Sequence, residues 1–212
     1  MKTLTDCALR SALPRLTRLC ILACSALLAA CATEPDKNPC APSGKNYLGD
    51  ADFALEEHDS RSKYWGALQH AGERSFSYSV KEGVLSIKKI GEQPWFLFRQ
   101  RLRTTELSGQ TVIFTAQARW STTLPDYQPL SSDSGLALTA LAASGKILLQ
   151  SAQAHTPLEL NADWQTLLVV VEIPTGTRTI EAAFMHQAEG TLQVRNPQLT
   201  ITKGNAQQCM TQ

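Results

Sequence analysis

The sequence predicts an all-β protein, a sandwich of about nine strands that follows an N-terminal export segment. From residue 46 onward, short runs of alternating apolar and polar residues recur at intervals of roughly ten to fifteen positions. Turn-forming sequences such as Ser108-Gly109 and Pro174-Thr175-Gly176 separate these runs. Strands at this spacing favour a sandwich or a barrel, and the 12 Gly and 10 Pro of the chain argue against a helical bundle.

Composition and charge narrow the class of protein further. The 212 residues are 43% hydrophobic, which is enough to form the core of one domain. Lys and Arg total 20 against 19 Asp and Glu, a formal net charge of +1. A generally basic nucleic-acid-binding domain and a highly charged disordered chain are therefore both excluded, and no nucleic-acid partner is expected.

The first 30 residues have the pattern of a secretory signal peptide. Lys2, Arg10, Arg15 and Arg18 make the start basic, and an apolar run follows over Leu19–Ala30. As a helix, that run would rise only about 18 Å, too little to cross a bilayer core of about 30 Å. A basic start, a short apolar segment and small residues at its end are typical of a cleaved export signal.

The end of this segment, Leu28-Ala29-Ala30-Cys31, resembles the bacterial lipobox. The resemblance implies that Cys31 is lipidated and becomes the first residue of the mature protein, with residues 31–45 as a polar tether to the membrane. Because Ala32 follows the cysteine, the resemblance also implies the outer membrane of a Gram-negative bacterium. The alternative is an ordinary signal peptide in which Cys31 occurs by chance.

Cys40 and Cys209 are the two cysteines that remain after signal removal and lipidation. An exported protein lies in an oxidising compartment, so these thiols are expected to form a disulfide. The alternative is two free thiols on frayed ends. Two cysteines without a nearby histidine or further cysteine do not complete a zinc site, so no metal is expected here.

Two alternating runs define the predicted centre of the sandwich. Residues 95–103 and 111–120 each place apolar side chains on one face, and the short connection between them predicts an antiparallel hairpin. Leu167–Val171 is apolar on both faces, as expected of a strand that is covered on both sides. The nine predicted strands lie within 76–80, 85–87, 95–103, 111–120, 135–141, 146–151, 166–173, 178–185 and 191–202.

Four sequence motifs resemble those of galactose-binding-like jelly rolls, a group that includes many carbohydrate-binding modules. Asn46–Phe53 is similar to their N-L-x-N-G-D-F-E opening, and Leu107–Arg119 is similar to their L-x-G-x-x-Y strand entry. Asp163-Trp164 and Gly190–Asn196 resemble their later strand motifs. The resemblance implies a jelly-roll sandwich over residues 46–204, with residues 205–212 as a C-terminal tail. Trp65 and Trp164 are expected to pack in its core.

The resemblance also raises the question of a structural calcium ion. Members of the family often hold one with acids at the opening and closing motifs, where this chain has Ala54, Asn196 and Pro197 instead. A weakened calcium site at Asp50 and Asp52 is the alternative, but calcium takes six to eight oxygen ligands, several of them from carboxylates. We therefore expect no calcium and no other cofactor.

Arginines concentrate on the polar face of the predicted hairpin. Several guanidinium groups on one face repel each other unless an anion lies among them, so this face is a candidate site for an acidic glycan, a peptidoglycan carboxylate or a lipid phosphate. Alternatively, Glu172 and Glu181 on other strands neutralise the face. The candidate ligand-binding residues are Arg99, Arg101, Gln117 and Arg119, with Trp95 or Tyr127 as a platform for a sugar ring.

The sequence contains no G-x-S-x-G, no H-E-x-x-H and no glycine-rich phosphate loop. It therefore favours a protein without catalytic activity. The first hypothesis is an envelope lipoprotein whose sandwich binds a glycan or another envelope ligand. The second is a structural or assembly lipoprotein that contacts another protein through the same sandwich.

Overall fold

The computed structural model describes residues 38–42, 44–55, 63–124, 126, 134–152 and 158–210. The predicted signal peptide, the lipidation residue Cys31 and the proposed sugar platform Tyr127 lie outside the described residues. By its contacts the chain divides into residues 1–38 and a compact unit, Pro39–Gln212. Within the described part, no helix is both long and apolar enough to cross a bilayer.

Ten antiparallel strands form two five-stranded sheets, which confirms the predicted all-β jelly-roll sandwich. The first sheet has the strand order β1-β4-β9-β6-β7, and the second has the order β2-β3-β10-β5-β8. The strands are β1 (Trp65–Gln69), β2 (Phe76–Lys81), β3 (Val84–Lys89), β4 (Phe96–Arg103), β5 (Thr111–Ser121), β6 (Ser134–Leu141), β7 (Ile147–Ala152), β8 (Gln165–Glu172), β9 (Thr179–His186) and β10 (Thr191–Thr202). The strand missing from the sequence prediction is β1.

Aromatic side chains fill the space between the two sheets. The Trp65 ring stacks on Phe98 and Phe184 with centroid distances of 5.6 and 5.3 Å. Phe53, from the opening motif, packs edge-on against the same group. Each of these side chains is 2% exposed or less, so the prediction that Trp65 belongs to the core is confirmed.

The predicted hairpin between residues 95–103 and 111–119 is wrong. The alternation itself is confirmed, but β4 pairs with β1 and β9, whereas β5 pairs with β10 and β8. The connecting segment crosses from one sheet to the other and buries Leu107 completely in the core. Two strands with apolar faces can meet across the core as well as side by side, and alternation alone does not distinguish the two arrangements.

A disulfide joins Cys40 to Cys209, as predicted, with a Cα–Cα distance of 5.3 Å. Cys209 belongs to the short helix α1 (Ala206–Met210), which packs with Cys40 against the outer side of Ile113 and Val170. This contact explains why Val170, in the apolar run of β8, is buried on the outside of the second sheet. The neighbouring Leu168 is 38% exposed, so that run is covered on both sides only in part.

Candidate functional site

The outer surface of the first sheet, called here the first-sheet face, contains a shallow groove of about 300 Å³. Strand register sets its floor: Arg99, Ala183 and Ala137 lie in one row across β4, β9 and β6, and the row continues beyond the groove to Gly66 on β1. Three of these four residues have a small side chain or none, so Arg99 is the one residue of the row whose side chain extends far from the sheet. Leu97 and Met185 line one side of the groove.

A second row of side chains, which we call the polar row, lies beside this floor. Register aligns Arg101 on β4 with Glu181 on β9, Thr139 on β6 and Gln150 on β7. Strand alternation places the residue before β1, Tyr64, next to Arg101, and both line an adjoining pocket. The polar row therefore offers a cation, a carboxylate, a hydroxyl and an amide beside an aromatic ring.

Glu181 links the two arginines of β4. One of its carboxylate oxygens accepts a hydrogen bond from Nη1 of Arg99 at 2.7 Å and forms an ion pair with Nε of Arg101 at 3.1 Å. The Glu181 side chain is only 12% exposed, whereas that of Arg101 is 56% exposed. The predicted neutralisation by Glu181 is thus present, but one carboxylate faces two guanidinium groups, and the face keeps a positive charge. Glu172 lies in β8 of the other sheet.

The Tyr64 ring is held flat against the backbone of Gly49. A Cβ atom at position 49 would collide with this ring, so the contact requires glycine. Gly49 is fixed in turn by the buried amide of Gln100, which accepts from its N–H and donates to its C=O, both at 2.8 Å. Tyr64 is 37% exposed. This arrangement is that of a fixed aromatic platform at the end of the polar row.

The pocket that adjoins Tyr64 is rich in cationic side chains. Lys45, Lys63 and Arg103 line it together with Arg101, and Glu106 is its acid. Lys45 forms an ion pair with Glu106 at 2.9 Å. The hydrogen bond from Lys45 lowers the pKa of the Glu106 carboxyl, and the same bond raises the pKa of Lys45.

The structure separates the predicted ligand-binding residues into two groups. Arg99 and Arg101 lie on the first-sheet face, and Trp95 directly precedes β4, half-buried with its ring edge against His70. Gln117 and Arg119 project from β5 on the outer surface of the second sheet, called here the second-sheet face. The five predicted residues that the structure describes therefore do not form one site.

Trp164, predicted in the core, instead lies half-buried on the second-sheet face. Two arginines stack on its ring: Arg119 of β5 at 4.7 Å and Arg195 of β10 at 4.1 Å, measured from Cζ to the ring centroid. The loop before β8 thus carries the indole outside the sheet, where the two guanidinium groups cover part of it. The prediction for Trp164 was wrong because an outer-face arginine pair can cover an indole as the core does.

Asp50 and Asp52 lie in the turn within the opening motif. The Oδ1 atom of Asp50 accepts from the N–H of Leu55 at 2.9 Å, and that of Asp52 accepts from Ala54 at 3.4 Å. Two carboxylates that already bind backbone supply fewer oxygens than Ca²⁺ takes. No group of three acidic, histidine or cysteine side chains suited to a metal occurs in the part of the chain that the structure describes.

Sequence reasoning missed Tyr64, Gln150, Thr139 and Lys63 as components of the site. Tyr64 precedes a strand without clear alternation, Trp65-Gly66-Ala67-Leu68, so no feature of the sequence placed it on a sheet. The available signal was Gly49 in the opening motif, because a glycine lets another group approach the backbone closely.

No protein-family model matches the chain, and no curated protein matches it. Solved structures do resemble it. The CBM22-1 xylan-binding domain from Paenibacillus barcinonensis matches with a TM-score of 0.52 and 12% identity over 77% of this chain and 99% of that domain. A CBM4 structure matches with a TM-score of 0.50 and 15% identity over 73% of this chain and 99% of that one.

The enzymatically active domain of tailspike protein 4 from bacteriophage CBA120 also matches, with a TM-score of 0.53 and 15% identity. The match covers 74% of this chain but only 21% of the tailspike domain. At these identities, the three likenesses show a shared fold: the chain is a β-sandwich built like carbohydrate-binding modules.

Proposed function

We propose that this protein is a non-catalytic, glycan-binding domain that a lipid on Cys31 holds at the cell envelope. The observation that carries the glycan-binding part is the polar row with its aromatic platform, Tyr64 beside Arg101, Glu181, Thr139 and Gln150. The fold shared with a xylan-binding domain supports the proposal.

The first-sheet face combines the two kinds of contact that a sugar needs. The apolar face of a sugar ring packs on an aromatic ring such as Tyr64, and its hydroxyl groups both donate and accept hydrogen bonds. Glu181 and Gln150 accept from hydroxyls, while Arg101 and Gln150 donate to them. An open, shallow groove across several strands suits a chain of sugars rather than a small enclosed ligand.

Charge on this face favours an acidic glycan. Five cationic side chains line the groove and its adjoining pocket, and two carboxylates, Glu106 and Glu181, face them. The excess of positive charge attracts carboxylate groups on a glycan over the range of the Debye length, about 8 Å at physiological ionic strength. The cationic residues are Lys45, Lys63, Arg99, Arg101 and Arg103.

The anchoring part of the proposal rests on the lipobox-like sequence. Lipidation of Cys31 in the outer membrane would leave only the residues up to Cys40 as a tether, because the disulfide to Cys209 fixes that position to the sandwich. Such a tether extends at most about 30 Å, so the domain would lie close to the membrane surface. Mass spectrometry of the mature N-terminus tests this: a lipidated Cys31 supports it, and an unmodified N-terminus elsewhere contradicts it.

The glycan-binding part is tested by affinity electrophoresis and calorimetry against neutral and acidic polysaccharides, including peptidoglycan fragments. The wild type is expected to bind at least one acidic glycan, and Tyr64→Ala to weaken that binding about tenfold or more. Tyr64→Phe is the matched control, since it keeps the ring, and it is expected to retain most of the affinity. If no glycan binds, or if Tyr64→Ala binds as the wild type does, the proposal is wrong, and the assembly hypothesis gains support.

A further inference from the structure

The second-sheet face carries an Arg–Trp cluster, formed by Arg119, Arg195 and Trp164. Both guanidinium groups stack on the same indole, with Cζ atoms 4.7 and 4.1 Å from its ring centroid. A guanidinium at such a distance from a tryptophan ring is in cation–π contact. The three side chains come from different elements, β5, β10 and the loop before β8, so the fold itself brings them together.

Each guanidinium of the cluster is fixed in place by a glutamine on the neighbouring strand. Register pairs Arg119 with Gln193 and Arg195 with Gln117, and each arginine Nε donates to its glutamine Oε1 at 2.7 Å. In this register Arg119 and Arg195 are diagonal neighbours on adjacent strands, and the Cα atoms of such neighbours are roughly 7–8 Å apart. With Nε occupied and one face on the indole, each guanidinium keeps its outer N–H groups for a ligand.

The cluster differs in charge from the arginines on the opposite face. Arg99 and Arg101 share Glu181, whereas within the described ranges no carboxylate oxygen lies within 4.0 Å of a nitrogen of Arg119 or Arg195. The neighbouring acid, Asp163, accepts from the backbone N–H that follows it, at 2.8 Å. Among the residues that the structure describes, these two fixed guanidinium groups therefore lie close together without an anionic partner, an arrangement that an oxyanion between them would stabilise.

We propose that the Arg–Trp cluster is a second binding site, for an oxyanion group of an acidic polysaccharide. The side chains around it favour a polysaccharide over a lipid. Gln117, Gln193 and Ser86 form a hydrogen-bonded polar surface beside the arginines, with Gln193 Nε2 donating to Ser86 Oγ at 3.1 Å. Such a surface complements the hydroxyl groups of a polysaccharide. This site lies on the opposite side of the sandwich from Tyr64 and does not depend on it.

The test is an NMR titration of the ¹⁵N-labelled protein with two probes, inorganic phosphate and an oligogalacturonate, at constant ionic strength. The indole N–H of Trp164 and the Nε–H signals of Arg119 and Arg195 report binding directly. We expect a saturable shift of these signals with each probe. The Arg119→Gln and Arg195→Gln variants are expected to weaken binding about tenfold or more, because each removes one charged fork.

Arg178→Gln is the matched control, since it removes the same charge from an exposed loop, and its response is expected to equal that of the wild type. Tyr64→Ala is also expected to leave the response unchanged, so failure of the first-sheet site and failure of this one can be told apart. Shifts that sodium chloride reproduces, or variants that respond as the wild type does, would overturn the proposal. Binding to anionic lipid vesicles without binding to the oligogalacturonate would overturn the polysaccharide assignment. If both variants unfold, the wild-type titration tests the proposal: a saturable shift of the Trp164, Arg119 and Arg195 signals with the oligogalacturonate supports it, and the lack of such a shift overturns it.

Discussion

Gln100 connects the stability of the sandwich to the geometry of the first-sheet face. Its side chain is 2% exposed, and its amide makes two hydrogen bonds of 2.8 Å to the backbone of Gly49. The substitution Gln100→Met keeps the length and approximate volume of the side chain but removes both bonds. Because Gly49 supports the Tyr64 ring, the same change is expected to loosen the aromatic platform.

The magnitude follows from the two bonds lost. A neutral hydrogen bond contributes about 1 kcal/mol net, so Gln100→Met is expected to cost about 2 kcal/mol. For a domain of this size, each kcal/mol lowers the melting temperature by about 2–4 °C, which gives a decrease of about 4–8 °C. Glycan affinity is expected to fall as well, because Tyr64 loses its fixed position.

Differential scanning calorimetry and a glycan titration of the same variant measure both effects. Gln110→Met is the control: this glutamine is exposed in the loop before β5, and its replacement is expected to change the melting temperature by less than about 1 °C. A Gln100→Met protein that melts and binds like the wild type would refute the coupling between Gly49, Tyr64 and the core.

Three further changes have defined expected outcomes. Replacing Cys40 and Cys209 by serine opens the loop that the disulfide closes between residues 169 positions apart. The chain-entropy model limits the resulting loss in the free energy of unfolding to about 5 kcal/mol, and denaturant titration measures it. Glu181→Gln leaves the two arginines of β4 without their carboxylate and is expected to cost about 1–2 kcal/mol in the same assay, since the carboxylate is largely buried. The hydrogen bond from Lys45 lowers the pKa of Glu106, so this pair stabilises the fold above the ordinary carboxyl pKa and loses that contribution as the pH falls. Lys45→Met is therefore expected to raise the pKa of Glu106, which an NMR pH titration measures.

The sequence predicted those features that depend on local patterns. Alternation along β4 and β5 identified the inner side chains correctly, and counting the cysteines that remain after export identified Cys40 and Cys209 as a pair. Alternation reports which face of a strand is apolar, and that information is the same whether two strands pair or face each other. The partners of β4 and β5 therefore could not be predicted from it.

Both candidate sites depend on which strands pair with each other, and alternation does not predict strand pairing. Arg119 was identified from the sequence, but its neighbour Arg195 was not, because the pairing of β10 with β5 brings Arg195 beside Gln117, which is 78 positions earlier in the chain. Tyr64 was missed because its position depends on Gln100, 36 positions later, through Gly49. Both sites are assembled by pairings between residues that are distant in the chain, and a single sequence does not specify such pairings.

Mapping a bound acidic oligosaccharide on the ¹⁵N-labelled protein tests the central claim, that the first-sheet face binds glycan, most directly. The largest shifts are expected at Tyr64, Arg101 and the outward residues of β9 and β6, and in Tyr64→Ala these shifts are expected to need about tenfold or more ligand to reach half of their maximum. Those same residues would give no response if the claim were wrong, and the shifts would instead be confined to the second-sheet face or be absent altogether.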